Sequence, residues 1–110
     1  MNVYDTANRL ATEIKSSEEY KGYKQLKNIL MNNEATKKKI EDFERLRYEV
    51  QLMQYTGEEK NEEKTKKLEE MYMVLVQDKQ IKDYFDLEVK FNIMIADVNK
   101  IIAEAIKDVL

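Results

Sequence analysis

The chain has 110 residues, 43% hydrophobic and 37% charged, with 19 basic and 22 acidic side chains and a net charge of −3. That is one domain's worth of chain, 1–110, with enough apolar content for a modest core and too much for a disordered segment. Cysteine and histidine are absent. Disulfides, thiolate metal sites, thiol nucleophiles and imidazole general bases are therefore excluded.

The chain has no proline and only two glycines, Gly22 and Gly57. With so few breakers and so much Lys, Glu, Leu and Ile, an all-α fold is expected. The near balance of charge argues against a wholesale polyanion binder. No apolar run reaches the ~18 residues of a membrane span. The start, Met1-Asn2-Val3-Tyr4-Asp5, lacks the basic and apolar regions of a signal peptide, and a cytoplasmic location is expected.

Five helices are predicted. The first runs from about Asn2 to Lys15, with Val3, Ala7, Leu10, Ala11 and Ile14 on one face. Ser16 to Glu19 has capping-box spacing and opens the second helix. Tyr20, Tyr23, Leu26, Lys27 and Leu30 follow at helical spacing, weakened slightly by Gly22. Asn32-Asn33 ends that helix and can cap the third, from about Glu34 to Tyr55 and about 33 Å long. Ile40, Phe43, Leu46, Val50 and Met53 make its stripe, widened by Tyr48, Leu52 and Tyr55. Gly57 is suited to a left-handed C-cap.

The fourth helix begins near Asn61 in a nearly all-charged segment. There Glu62–Lys66 and Glu63–Lys67 fall at i,i+4, and acids precede bases as the helix dipole prefers. Its apolar part is Leu68, Met71, Tyr72, Leu75 and Val76, and Asp78 is a plausible cap for the fifth helix. Met73 to Val76 is the only β-like run, too short to outweigh its helical surroundings.

The fifth helix carries the clearest pattern. Ile81, Tyr84, Glu88, Phe91, Ile95, Val98, Ile102, Ala105 and Val109 step by threes and fours, and Leu87, Met94 and Ile101 lie beside them. Val89, Ala96, Ala103 and Leu110 form a further row. Apolar character covers more than half the circumference, which suits a central helix touched by its own chain on one side and by another subunit on the other. An antiparallel helical bundle with a long C-terminal helix is expected, forming a homodimer or higher homo-oligomer. The candidate subunit interface is Tyr84, Leu87, Phe91, Met94, Ile95, Val98, Ile101 and Ile102.

Glu88 is the one charge in that stripe. A buried carboxylate without a partner is costly, so it either reaches water or pairs with one of the chain's three arginines. Arg45 or Arg47 of the third helix is the expected partner, in a pair that sets register more than it adds stability.

Other groups admit plainer readings. Glu58, Glu59, Glu62 and Glu63 suit a solvated helix start better than a metal site, because bundle di-metal sites use Glu-x-x-His pairs. Lys37-Lys38-Lys39 and Lys64, Lys66 and Lys67 sit among acids and read as solubilising charge, with RNA contact the alternative. Tyr4, Tyr20, Tyr23, Tyr72 and Tyr84 fit core edges with the hydroxyl toward water; an aromatic and methionine groove for a partner's helix is the sharper reading. Ser16 and Ser17, the only serines, look like caps. No hydrolytic triad and no Gly-rich phosphate loop can be drawn, so no catalysis is expected.

The whole chain resembles the YheA/YmcA/YlbF family of small bacterial helical proteins, most closely its YheA-like branch. The resemblance rests on Asn2-Val3-Tyr4-Asp5 with Ala7 and Leu10, on Ser17-Glu18-Glu19-Tyr20, and on Phe43, Gln51, Gln54 and Gly57. In the last helix it rests on Glu88, Phe91, Val98-Asn99 and Ile101-Ile102. It implies an all-helical, self-associating protein. Some relatives are partners in a regulatory complex that affects ribonuclease Y, RNA maturation, competence, sporulation and biofilm formation. Relatives in that complex carry cysteines that hold iron–sulfur clusters; this chain has no cysteine, and no cofactor is expected. Family members often have proline in the two short breaks, where this chain has Glu34 and Lys79, and capping side chains can act without it. A non-catalytic regulatory adaptor is the expected function, and an RNA- or ribonucleoprotein-associated factor using the lysine clusters is the alternative.

Overall fold

The computed structural model describes residues 2–56 and 62–110. The expected cap at Gly57, the acids Glu58 and Glu59, and the helix start at Asn61 lie outside them. The described chain is all-α: α1 (Val3–Ser16), α2 (Glu18–Met31), α3 (Glu34–Thr56), α4 (Glu62–Leu75) and α5 (Lys79–Ile106). None of the described residues is in a strand, so the short Met73–Val76 run yields to its helical context.

Polar side chains placed at the breaks set the helix ends. Asn2 Oδ1 accepts from the Asp5 backbone N–H at 2.9 Å, and Asn33 Oδ1 from that of Thr36 at 3.1 Å. Asp78 Oδ1 accepts from the N–H groups of Gln80 and Ile81. Each thus satisfies donors that the first helical turn leaves without a partner.

The cap between α1 and α2 departs from the expectation. Ser17, not Ser16, accepts from the Tyr20 N–H at 3.2 Å, while its own N–H and hydroxyl both donate to the Ile14 carbonyl. One residue therefore ends α1 and begins α2. Ser16 is the last residue of α1, because the extended backbone that allows capping falls one position later, at Ser17. The helix of the long stripe ends at Ile106, so Val109 lies beyond it in a turn closed by its N–H on the Ile106 carbonyl.

The chain divides into two compact units, residues 28–83 and residues 1–27 with 84–110. In the first, α3 and α4 are antiparallel: the Phe43 ring meets Tyr72 at 6.2 Å, and Glu49, six residues later, meets Lys64, eight residues earlier, at 3.5 Å. Leu30, Ile40, Phe43, Val50, Leu75 and Ile81 are its buried side chains. In the second, α2 runs antiparallel to α5, with Tyr20 against Phe91 and Tyr23 against Tyr84. Tyr84 and Phe85 are buried there.

Candidate interaction surface

The α2–α5 contact is built from aromatic rings. Tyr23 lies 5.3 Å from Tyr84 and 5.6 Å from Phe91, ring centre to ring centre, and Tyr20 lies 6.1 Å from Phe91. These are tilted pairs within the range in which aromatic quadrupoles attract. Gly22 eases the approach. A Cβ there would stand 3.3 Å from Leu87 Cδ1, so the residue that weakens α2 as a helix lets Leu87 lie against its backbone.

Along α5 the candidate interface residues fall into three classes. Tyr84 is 1% exposed and lies within its own chain, between Tyr23 and Phe85. The Tyr23 ring of α2 and Phe85 cover it within one chain. Leu87, Phe91, Met94, Ile95 and Val98 are half-buried. Ile101 and Ile102 are 70% and 50% exposed. The stripe does not change its spacing at Val98; it loses its cover.

Glu88 is half-buried, and its Oε2 accepts from the Tyr23 hydroxyl at 3.4 Å. That long bond gives the carboxylate a polar contact beside the aromatic stack. Arg45 Nη1 meets Asp42 Oδ1 one turn earlier in α3, at 3.3 Å. The Arg47 guanidinium lies over the Phe43 ring at 5.5 Å, a cation–π distance.

In the other unit the α3–α4 pair carries shallow grooves. One of about 450 Å³ is lined by Phe43, Leu68, Glu69, Tyr72 and Met73. A second, of about 400 Å³, is lined by Lys39, Asp42, Lys67, Glu70, Met71, Val74 and Leu75. The first joins aromatic and methionine side chains, the combination noted in the sequence. Two lysines of the cluster at the start of α3 meet acids of their own helix: Lys37 lies 4.0 Å from Glu41 and Lys38 3.5 Å from Asp42. Among the described residues, no three acidic side chains gather as a metal site requires, and no helix is long and apolar enough to cross a membrane.

Two features escaped sequence reasoning. Phe85 is buried although it lies off the stripe; its only signal was a large aromatic next to Tyr84. The face of α1 looked like a core face, yet none of its residues is buried. Leu10 and Ile14 are half-covered, while Val3 and Tyr4 are each 76% exposed.

Comparison with known proteins agrees with this architecture. Residues 3–107 match the model of a family described as control of competence regulator ComK, YlbF/YmcA. A UPF0342 protein of Halothermothrix orenii is 37% identical over 102 residues, covering 93% of this chain and 86% of the relative. A UPF0342 protein of Desulfitobacterium hafniense is 36% identical over 110 residues, covering all of this chain and 89% of the relative. A solved structure of a protein of unknown function (DUF964) from Bacillus stearothermophilus superposes with a TM-score of 0.81 at 16% identity, covering 96% of this chain and 93% of that one. The yheA protein from Bacillus subtilis gives a TM-score of 0.66 at 24% identity, with both chains fully covered. At those identities the two structures speak for the fold alone.

Proposed function

The chain belongs to the YlbF/YmcA family, and from that premise we propose that it is a non-catalytic, self-associating adaptor that regulates by binding other proteins. The observation that carries the reading is the bare end of the α5 stripe, where Ile101 is 70% and Ile102 50% exposed. Contiguous apolar surface on a soluble helix marks a place where another protein binds. The family's description, control of a competence regulator, supports regulation as the purpose of that binding. A cytoplasmic location belongs to the same proposal.

Sedimentation velocity at micromolar concentration tests self-association: no dominant monomer is expected, and a clean monomer defeats it. Phe91→Glu or Ile95→Glu is expected to disrupt assembly or folding. Unchanged assembly and stability in both would remove the half-buried stretch of the stripe from the interface.

Two finer readings belong to the same proposal. Residues 1–110 form one cooperative domain, for which calorimetry is expected to show a single transition; two separate transitions would refute it. Glu88 pairs with Arg45 or Arg47 to fix register. Double-mutant cycles of Glu88→Gln with Arg45→Met and with Arg47→Met are expected to give a coupling above about 0.5 kcal/mol for one arginine, and additivity in both cycles would refute the pairing.

A further inference from the structure

We propose that Met73 is the site at which peroxide modifies this protein. Its thioether takes up one oxygen and turns an apolar groove of the α3–α4 pair polar, reversibly and without unfolding the chain. The inference stands apart from the self-association proposed above and concerns the other compact unit, residues 28–83.

The chain has no cysteine, so its thioethers are the sulfur atoms that an oxidant meets. Met31, Met53, Met71, Met73 and Met94 lie among the described residues. Four of them are half-buried, whereas Met73 is 61% exposed. Oxidation of sulfur follows access to it, which singles out Met73. Met71, two residues earlier on the same helix, lines a different groove with Lys39 and Lys67. Met73 shares its groove, of about 450 Å³, with Phe43, Leu68, Glu69 and Tyr72.

Hydrogen peroxide delivers the oxygen. The sulfur lone pair attacks one peroxide oxygen, and the S–O bond forms as the O–O bond breaks. The thioether is oxidised by two electrons to the sulfoxide; the departing oxygen takes the proton from the transferred one and leaves as water. A flexible apolar side chain thereby becomes a polar acceptor, on a wall that also holds the Phe43 and Tyr72 rings. The fold tolerates the change. A sulfoxide in a core disrupts packing, but one on Met73 meets water, while Phe43 and Leu75 stay buried beneath the groove's surface. The Met73 carbonyl accepts from Gln77 Nε2 at 3.1 Å, which holds the end of α4 independently of the thioether. The same exposure leaves the sulfoxide open to methionine sulfoxide reductases, which return it to the thioether.

The test treats the full chain with hydrogen peroxide and follows each methionine by peptide mass spectrometry, with circular dichroism reporting helicity. Trypsin releases 68–79 as one peptide carrying both Met71 and Met73, so its fragment ions compare the two directly. Met73 is expected to gain oxygen at least about threefold faster than Met31, Met53, Met71 or Met94, with helicity unchanged. The ring signals of Phe43 and Tyr72 in NMR spectra are expected to shift in step, while those of Tyr20 and Phe91 in the other unit do not move. Met73→Leu is expected to abolish these ring shifts. Methionine sulfoxide reductases A and B together are expected to restore both the mass and the spectrum. Another of these methionines reacting as fast, helicity lost with the first oxygen, or unmoved Phe43 and Tyr72 rings would each overturn the proposal. A sulfoxide that the reductases leave in place would overturn its reversibility.

Discussion

The two halves of α5 carry the same apolar stripe and differ in what covers it. From Tyr84 to Phe91 the stripe meets Tyr20, Gly22 and Tyr23 of α2, and its residues as far as Val98 are buried or half-buried. From residue 99 onward every position is exposed, although Ile101, Ile102 and Ile106 keep the stripe's spacing. Helical periodicity reports that a face is apolar; it does not report whether the cover comes from the same chain. A helix of 28 residues cannot be covered along its whole length by a 14-residue α2, since each residue advances both by the same ~1.5 Å.

The sharpest way to break this comparison is truncation on each side of it. Tyr84→Ala removes a ring that is 1% exposed and packed against Tyr23, and is expected to cost about 3–5 kcal/mol in urea unfolding. Ile102→Ala, in the bare half, is expected to change the stability of the monomer by no more than about 0.5 kcal/mol. Equal losses at the two sites, independent of protein concentration, would show that the bare half is covered within one chain.

Ser17→Ala tests the junction between α1 and α2. It removes the hydroxyl that caps α2 and donates to the Ile14 carbonyl, and a loss of about 1 kcal/mol is expected. Asp78→Ala, which removes the cap of α5 itself, is expected to cost a similar amount. No loss at Ser17 would mean that the local backbone alone makes the break.

Gly22→Ala separates helix propensity from packing. Propensity favours alanine by about 0.8–1 kcal/mol, while the new Cβ stands 3.3 Å from Leu87 Cδ1. Leu87 is half-buried and can yield by a few tenths of an ångström, so a net gain smaller than the propensity term is expected. A loss beyond 1 kcal/mol would show that the α2–α5 approach is rigid.

The smallest effect is expected at the Lys64–Glu49 pair of α3 and α4, both partners about 45% exposed. Lys64→Met is expected to cost less than about 1 kcal/mol, diminishing in high salt. A larger, salt-independent loss would put that unit's stability in its charges instead of its core.

Much of this was legible because it is local. The caps at Asn33 and Asp78 sit at breaks between apolar periodicities, and their side chains need only bond the next turn. The α3 stripe of Ile40, Phe43 and Val50 was readable for the same reason, and all three are buried. Ser17 was misplaced by one residue because the cap depends on which of two adjacent serines takes the extended backbone, and spacing alone does not decide that. A wheel shows the face on which Tyr84 lies and not its neighbour; the Tyr23 ring of α2 is that neighbour within one chain. Val3 and Tyr4 were the converse, apolar residues on a helical face that one chain leaves uncovered.

The helices, most of their ends and the apolar faces follow from 3.6-residue periodicity and from side chains that cap adjacent turns. Which stretches of those faces meet each other is settled by packing. That depends on helix lengths, on the close approach at Gly22 and on the turn at Ser17, and these together leave the end of α5 and the face of α1 open to a partner.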